Sequence, residues 1–247
     1  MSGGSSGIGR AVAEAFGALG WGVAIGARGE ERVRQAASAV TEAGGRAFGA
    51  TLDVRDAGSI EAFYAGAERA LGPVDVVVNC AAHARPGALH ELSAEEIHSE
   101  VESGLVGALL FAREGVGRMI ARRGTGDVVF VSSASAELPW PLLAAYAGSK
   151  AGVEQAARSL SLELEGTGVR ATVVRIGNTV GTAWTADWQP GELTAFAEWQ
   201  RLGLLRHGGL LMPQQVAESV VWVVGVPRSV QLDLVSVHPQ APAAGGG

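Results

Sequence analysis

Short runs of β-branched and other apolar residues alternate along the chain with longer stretches whose apolar positions recur every three or four residues. That rhythm predicts βαβ units and a parallel sheet. Strands are expected at 22–27, 46–52, 74–79, 127–132, 169–176 and 231–237. Helices are expected at roughly 8–20, 29–43, 57–71, 93–121, 144–166 and 213–225. Val76-Val77-Val78 and Val128-Val129-Phe130-Val131 are apolar without a break, as strands covered by helices on both faces should be. Pro213 falls in the first turn of the last helix, where its missing N–H costs nothing.

No repeat or linker interrupts the alternation, so residues 1–238 are expected to form one three-layer, doubly wound α/β domain. The segment 239–247, rich in Pro, Ala and Gly, reads as a frayed tail. Residues 178–212 break the rhythm and carry Trp184, Trp188 and Trp199. An insertion at the carboxyl end of a strand is where such folds place ligand-covering segments. The beginning is short: glycines start at residue 3, leaving at most Met1 and Ser2 for the strand that should precede them. A central strand usually has ~5–6 residues, so a hole in the ladder is expected. Either the natural chain starts further upstream, or the sheet tolerates or refills the gap.

Composition narrows the function classes. Hydrophobic residues make up 47% of the 247 and charged residues 18%, which supports a large core and argues against disorder. A net charge of -6, with no run among the 19 Lys and Arg, argues against a nucleic-acid partner. No apolar stretch approaches the ~18 residues of a membrane span, and no signal sequence is visible. One cysteine, Cys80, cannot form an internal disulfide, as expected in a reducing cytoplasm. The five histidines show no metal-ligand spacing, so no metal is expected.

Gly3-Gly4-Ser5-Ser6-Gly7-Ile8-Gly9 leads directly into the first helical stretch. Such glycines let a backbone approach a pyrophosphate, and a helix N-terminus adds free N–H groups and partial positive charge. Gly3, Ser5, Ser6, Gly7, Ile8 and Gly9 are therefore candidate cofactor contacts. Arg28 ends the next strand, where an acid would select the ribose of NAD and an arginine can meet the 2′-phosphate of NADP. NADP(H) is expected, while Glu30 and Glu31 a little further on keep NAD(H) open.

Tyr146-Ala147-Gly148-Ser149-Lys150 sets a tyrosine and a lysine one helical turn apart. Ser133 lies thirteen residues before Tyr146, at the end of a strand. With Leu52-Asp53-Val54, Asn79-Cys80-Ala81-Ala82 and Ile176-Gly177-Asn178-Thr179, the chain resembles the short-chain dehydrogenase/reductase family from residue 2 to about 225. The resemblance implies a Rossmann-type fold with Ser133, Tyr146 and Lys150 as catalytic residues. It also implies that Asp53 and Val54 meet the adenine, Asn79 and Ala81 line the adenosine ribose side, and Gly177 and Thr179 lie near the carboxamide. Lys150 and Tyr146 would further contact the nicotinamide ribose. A homodimer or homotetramer is implied, through the helices near 93–121 and 144–166.

The residues explain that chemistry. Reducing a carbonyl leaves an alkoxide that needs a proton, and a tyrosine, with pKa near ~10, needs a nearby ammonium to act as acid and base. Ser133 would hold the substrate oxygen. Two departures from the family pattern stand out. Gly104 occupies the position of an asparagine that holds a relay water, leaving Ser103 or backbone carbonyls for that task. Ile176 replaces a proline, and Arg175 before it reads as a surface residue or as a partner for an acidic ligand. Cys80 reads as a packed, inert thiol.

Trp140, Trp184, Trp188, Leu142 and Leu143 point to an apolar or ring-bearing carbonyl or alcohol as the small-molecule substrate. His83 can reach it or serve structure. The expected activity is NADP(H)-dependent interconversion of a carbonyl and a secondary alcohol. Rival readings are a binding or regulatory protein on the same scaffold, or an epimerase or lyase that retains its cofactor.

Overall fold

The computed structural model describes residues 1–185 and 188–241. In chain order it comprises α1 (Gly7–Ala18), β1 (Gly22–Ala27), α2 (Glu30–Glu42), β2 (Arg46–Thr51), α3 (Ala57–Leu71), β3 (Val76–Asn79), α4 (Ala94–Val101) and α5 (Gly107–Ala121). Then follow β4 (Gly126–Ser133), α6 (Ala144–Glu163), β5 (Val169–Ile176), α7 (Ala195–Arg201), α8 (Pro213–Gly225) and β6 (Leu234–Val237). The fold is Rossmann-like: β2 pairs with β1, and β3, β4, β5 and β6 follow one another, every pairing parallel.

Between β1 and β3 lie Met1 and Ser2. The expected hole is bridged there, because Ser2 pairs with both Gly26 and Asn79. The Gly26 N–H donates to the Met1 carbonyl at 3.0 Å, and the Ser2 N–H donates to that of Val78 at 3.0 Å.

Period-two alternation in the central strands feeds two cores. Val77, Val128, Phe130 and Val173 join a cluster with side chains of α3, α5 and α6. Val78, Val129, Val131 and Val174 join another with α1, α2 and α8. Each fully buried Val or Phe contributes roughly 1.5–3 kcal/mol.

Several expected boundaries shift. The strand predicted from 231 begins at Leu234, since Gln231 bonds the Ala171 carbonyl through its side-chain amide, 2.8 Å away. The strand predicted from 74 begins at Val76. The helix predicted over 93–121 is three pieces, α4 and α5 flanking a π-helical turn at Glu102–Val106. Gly104 sits inside that turn, as its lack of a side chain allows; a Cβ there would lie 3.2 Å from that of Ser149. The insertion 178–212 is anchored by a Thr179–Leu211 bridge and contains α7. The expected tail falls largely on 242–247, outside the described residues. No described helix is long and apolar enough to cross a membrane.

Candidate active site

A cleft of about 1210 Å³ runs along the carboxyl ends of the strands, the place where open α/β sheets bind ligands. At one end is the glycine turn. Gly3 and Gly7 have φ of +67° and +50°, a region glycine enters without strain. A Cβ on Gly3 would lie 2.7 Å from the Ala81 nitrogen, and one on Gly9 would lie 2.2 Å from the Gly3 carbonyl. The turn thus presents bare backbone to the cleft, together with Ser5, Ser6 and Ile8. Ser6 precedes α1 without a side-chain cap, and no acid occupies the first turn. The N–H groups of α1 remain available to an anion.

Beyond β1, exposed Arg28 lines the cleft with Arg32 and Arg55. Arg55 grips Asp53 with two nitrogens, at 3.0 and 2.6 Å. These bonds hold the Asp53 carboxyl down at about 2, with Arg28 adding to the effect. Val54 and Ala81 lie on the cleft wall, as do Gly177 and Thr179 at the end of β5. Asn79 does not: it is buried behind the wall formed by Cys80, Ala81 and Ala82. Its amide nitrogen and oxygen have no partner among the described residues. Burial pushes the Cys80 thiol up to about 12, so it stays protonated and inert.

Ser133, Tyr146 and Lys150 meet further along. Ser133 ends β4, and its Oγ accepts from Ser135 N–H at 3.2 Å and Ser135 Oγ at 3.0 Å. The parallel register of β4 against β5 places Ser133 beside Ile176, next to Gly177. Tyr146 and Lys150 follow on one face of α6, with Lys150 Nζ 5.8 Å from the Tyr146 ring centre. Burial pushes the Tyr146 hydroxyl up to about 12, against a lowering hydrogen bond from Ser133. Burial likewise pushes Lys150 down to about 8, against nearby Cys80 and Glu154. Its ammonium donates to the Val131 carbonyl at 2.9 Å.

The other expected residues divide. Trp140, Leu143, Trp184 and Trp188 line the cleft, and Leu142 packs in the same aromatic cluster. His83 lines it too, its ring nitrogens 3.2 Å from Ser99 Oγ and 3.0 Å from Ser103 Oγ. Ser103 Oγ also donates to the Ser99 carbonyl at 2.7 Å, so its hydroxyl is committed within α4 and its loop. Arg175 is neither on the surface nor turned to a ligand. It is buried and holds Glu154 through two bonds of 2.8 and 2.6 Å, because the sheet brings β5 under α6.

Sequence reasoning named Trp199 only as part of the covering insertion and missed Phe196 and Glu100; all three line the cleft. The first two stand in the insertion and were open to the same reading as Trp184. Glu100 carries no signal, since one glutamate among several on a helix reads as solvent-facing.

The doubly wound sheet, the glycine turn at its switch point and the grouping of Ser133, Tyr146 and Lys150 define a dehydrogenase scaffold. A profile described as short chain dehydrogenase matches residues 1–193, and the chain belongs to that family. It is similar to a putative ketoacyl reductase of Streptomyces coelicolor, 33% identical over 234 residues, covering 91% of this chain and 88% of that protein. It is also similar to a short chain dehydrogenase of Pseudocercospora fijiensis, 37% identical over 179 residues and 72% of this chain. The match spans 58% of that longer protein. Among solved structures, an actinorhodin polyketide ketoreductase with NADPH superposes with a TM-score of 0.84 and 31% identity, covering 96% of this chain and 93% of that one.

Proposed function

We propose that this chain is an NADP(H)-dependent oxidoreductase that interconverts a carbonyl and a secondary alcohol on an apolar small molecule, with Ser133, Tyr146 and Lys150 as catalytic residues. The observation that carries this reading is their meeting in one cleft with the glycine turn. The turn needs glycine at Gly3 and Gly9, where side chains would collide with protein backbone, and the uncapped start of α1 beside it supports a dinucleotide there. Gly3, Ser5, Ser6, Gly7, Ile8 and Gly9 would hold the pyrophosphate at the start of α1. Arg28 would take the 2′-phosphate, Asp53 and Val54 the adenine, and Asn79 with Ala81 the adenosine ribose side. Gly177 and Thr179 would hold the carboxamide end. The ketoreductase carrying NADPH supports the choice of NADP(H).

When bound, the nicotinamide gives or takes the hydride. Ser133 holds the substrate oxygen toward Tyr146. Tyr146 keeps its proton at neutral pH, because burial has raised it to about 12, and donates it to the oxygen during reduction. Lys150, charged at neutral pH, lowers the energy of the tyrosinate left behind and holds ribose hydroxyls. Residues 178–212 cover the substrate and exclude water. The domain spans 1–238, and by family likeness it works as a homodimer or homotetramer in the cytoplasm.

NADPH titration by fluorescence, followed by a panel of apolar ketones, tests the reading. Saturable binding and ketone-dependent NADPH oxidation are expected; absence of NADP(H) binding overturns it. Arg28→Ala should weaken NADPH binding about 10- to 100-fold, the value of one charge-assisted contact, and leave NADH binding little changed. Equal losses for both cofactors would remove Arg28 from the phosphate site.

A further inference from the structure

The substrate half of the cleft carries two features that hydride transfer does not use. The first is an aromatic wall. Trp184 lies 5.8 Å from the Tyr146 ring and 4.6 Å from Trp188, and Trp140 lies 5.2 Å from Trp199, between ring centres. The Trp188 indole N–H donates to the Ala84 carbonyl at 2.7 Å, and that of Trp199 to the Pro141 carbonyl at 2.8 Å. These bonds fix how the rings face the cleft.

The second is Glu100 on α4, only 2% exposed and yet on the cleft lining. Its carboxylate accepts from the Arg85 backbone N–H at 2.7 Å and also from that of Tyr146. Burial raises it above the usual carboxylate range despite those contacts, and the charged side chain acting on it is another carboxylate, Glu96. Nearby cations are engaged elsewhere. The Arg85 guanidinium is turned to Glu96 and Glu192, and Lys150 sits on the Val131 carbonyl. Keeping a buried carboxylate charged is costly, and a cation placed beside it would offset that cost.

The two features are contiguous. Ala84 packs in the aromatic cluster and Tyr146 packs against it, while Glu100 holds the backbone of Arg85, the next residue, and that of Tyr146. A cation placed there would meet the Glu100 carboxylate in the part of the cleft that Trp184 and Tyr146 also line, where aromatic rings favour a cation. We infer that this half of the cleft takes an amine-bearing carbonyl or alcohol, its ammonium against Glu100 and its apolar body among the tryptophans. This rests on the oxidoreductase reading for which half belongs to the substrate.

Phenacyltrimethylammonium and its neutral isostere, neopentyl phenyl ketone, differ by one nitrogen cation in place of carbon. With NADPH, kcat/KM is expected to favour the cation by about tenfold or more, the scale of a desolvated cation–π contact. Because the α-ammonium also activates the carbonyl toward hydride, the readout is the change in that ratio: Glu100→Gln, which keeps one acceptor oxygen, should lower it about tenfold. Equal values in the wild type, or a variant that lowers both ketones by the same factor, overturns the inference. Quenching of wild-type tryptophan fluorescence by phenyltrimethylammonium and by tert-butylbenzene gives a second measurement, independent of the variant's folding. Tighter binding of the cation supports the site, and equal binding overturns it. If neither ketone is reduced and NADPH does not bind, the oxidoreductase reading fails, while the quenching comparison still decides the cation site.

Discussion

Replacing Tyr146 by phenylalanine is expected to lower kcat for ketone reduction about a thousandfold, within the 10²–10⁴ range of a lost general acid, while NADPH affinity changes little. The variant keeps the ring that packs 5.8 Å from Trp184 and removes only the hydroxyl bonded to Ser133. The fold should be nearly intact, since one such hydrogen bond is worth about 1 kcal/mol. The pH dependence of the wild type sharpens the test. Reduction needs the protonated hydroxyl, which is present at neutral pH because the group is raised to about 12. Oxidation needs the tyrosinate, so its rate should climb with pH in the wild type and not in the variant. Rates with each cofactor form between pH 6 and 10, alongside NADPH titrations, read both effects; retained ketone reduction would remove Tyr146 from the proton path.

What the chain shows by itself follows from how local each feature is. The strands and helices are local patterns, and their centres sit where the apolar periods place them. Their ends shift where distant contacts decide, as with Gln231, whose side chain meets β5 sixty residues away. Spacing puts Tyr146 and Lys150 on one helical turn, but Ser133 joins them in the sequence only through the resemblance to the short-chain dehydrogenase/reductase family. The bridge at Ser2 is not legible there, because it depends on β1 and β3 both closing on a two-residue segment. Glu100 and Arg175 were hidden for one reason, that a lone charge in a sequence does not reveal whether the fold will bury it.

Arg175 gives the largest expected change in stability. Its guanidinium is 9% exposed and the Glu154 side chain 4%, and Ser132 Oγ also donates to Glu154 at 2.8 Å. Burial alone would raise the Glu154 carboxyl, but the Arg175 and Ser132 hydrogen bonds outweigh it and leave the group lowered. Arg175→Met removes the nearer and more buried of two counter-charges, leaving half-exposed Arg158 at 3.7 Å, which should destabilise by about 3 kcal/mol, the lower end for a broken buried pair. At roughly 2–4 °C per kcal/mol for a chain of this size, the melting temperature should fall by about 10 °C. Because the folded carboxyl is lowered, its stabilisation holds above the ordinary carboxylate range and is lost as pH falls through the lowered value. The gap between wild type and variant should therefore narrow in acid, where Glu154 takes up a proton. Adding Glu154→Leu to Arg175→Met should recover most of the loss, since an apolar pair of similar volume can replace a buried ion pair. Calorimetric melts of the three proteins at neutral and acid pH decide this; a single variant as stable as the wild type would make the pair incidental. Glu154 also stands one turn beyond Lys150 and helps raise its ammonium. The double variant should thus fold well yet lose the Lys150 proton at lower pH, separating what the buried pair does for the fold from what it does for the site.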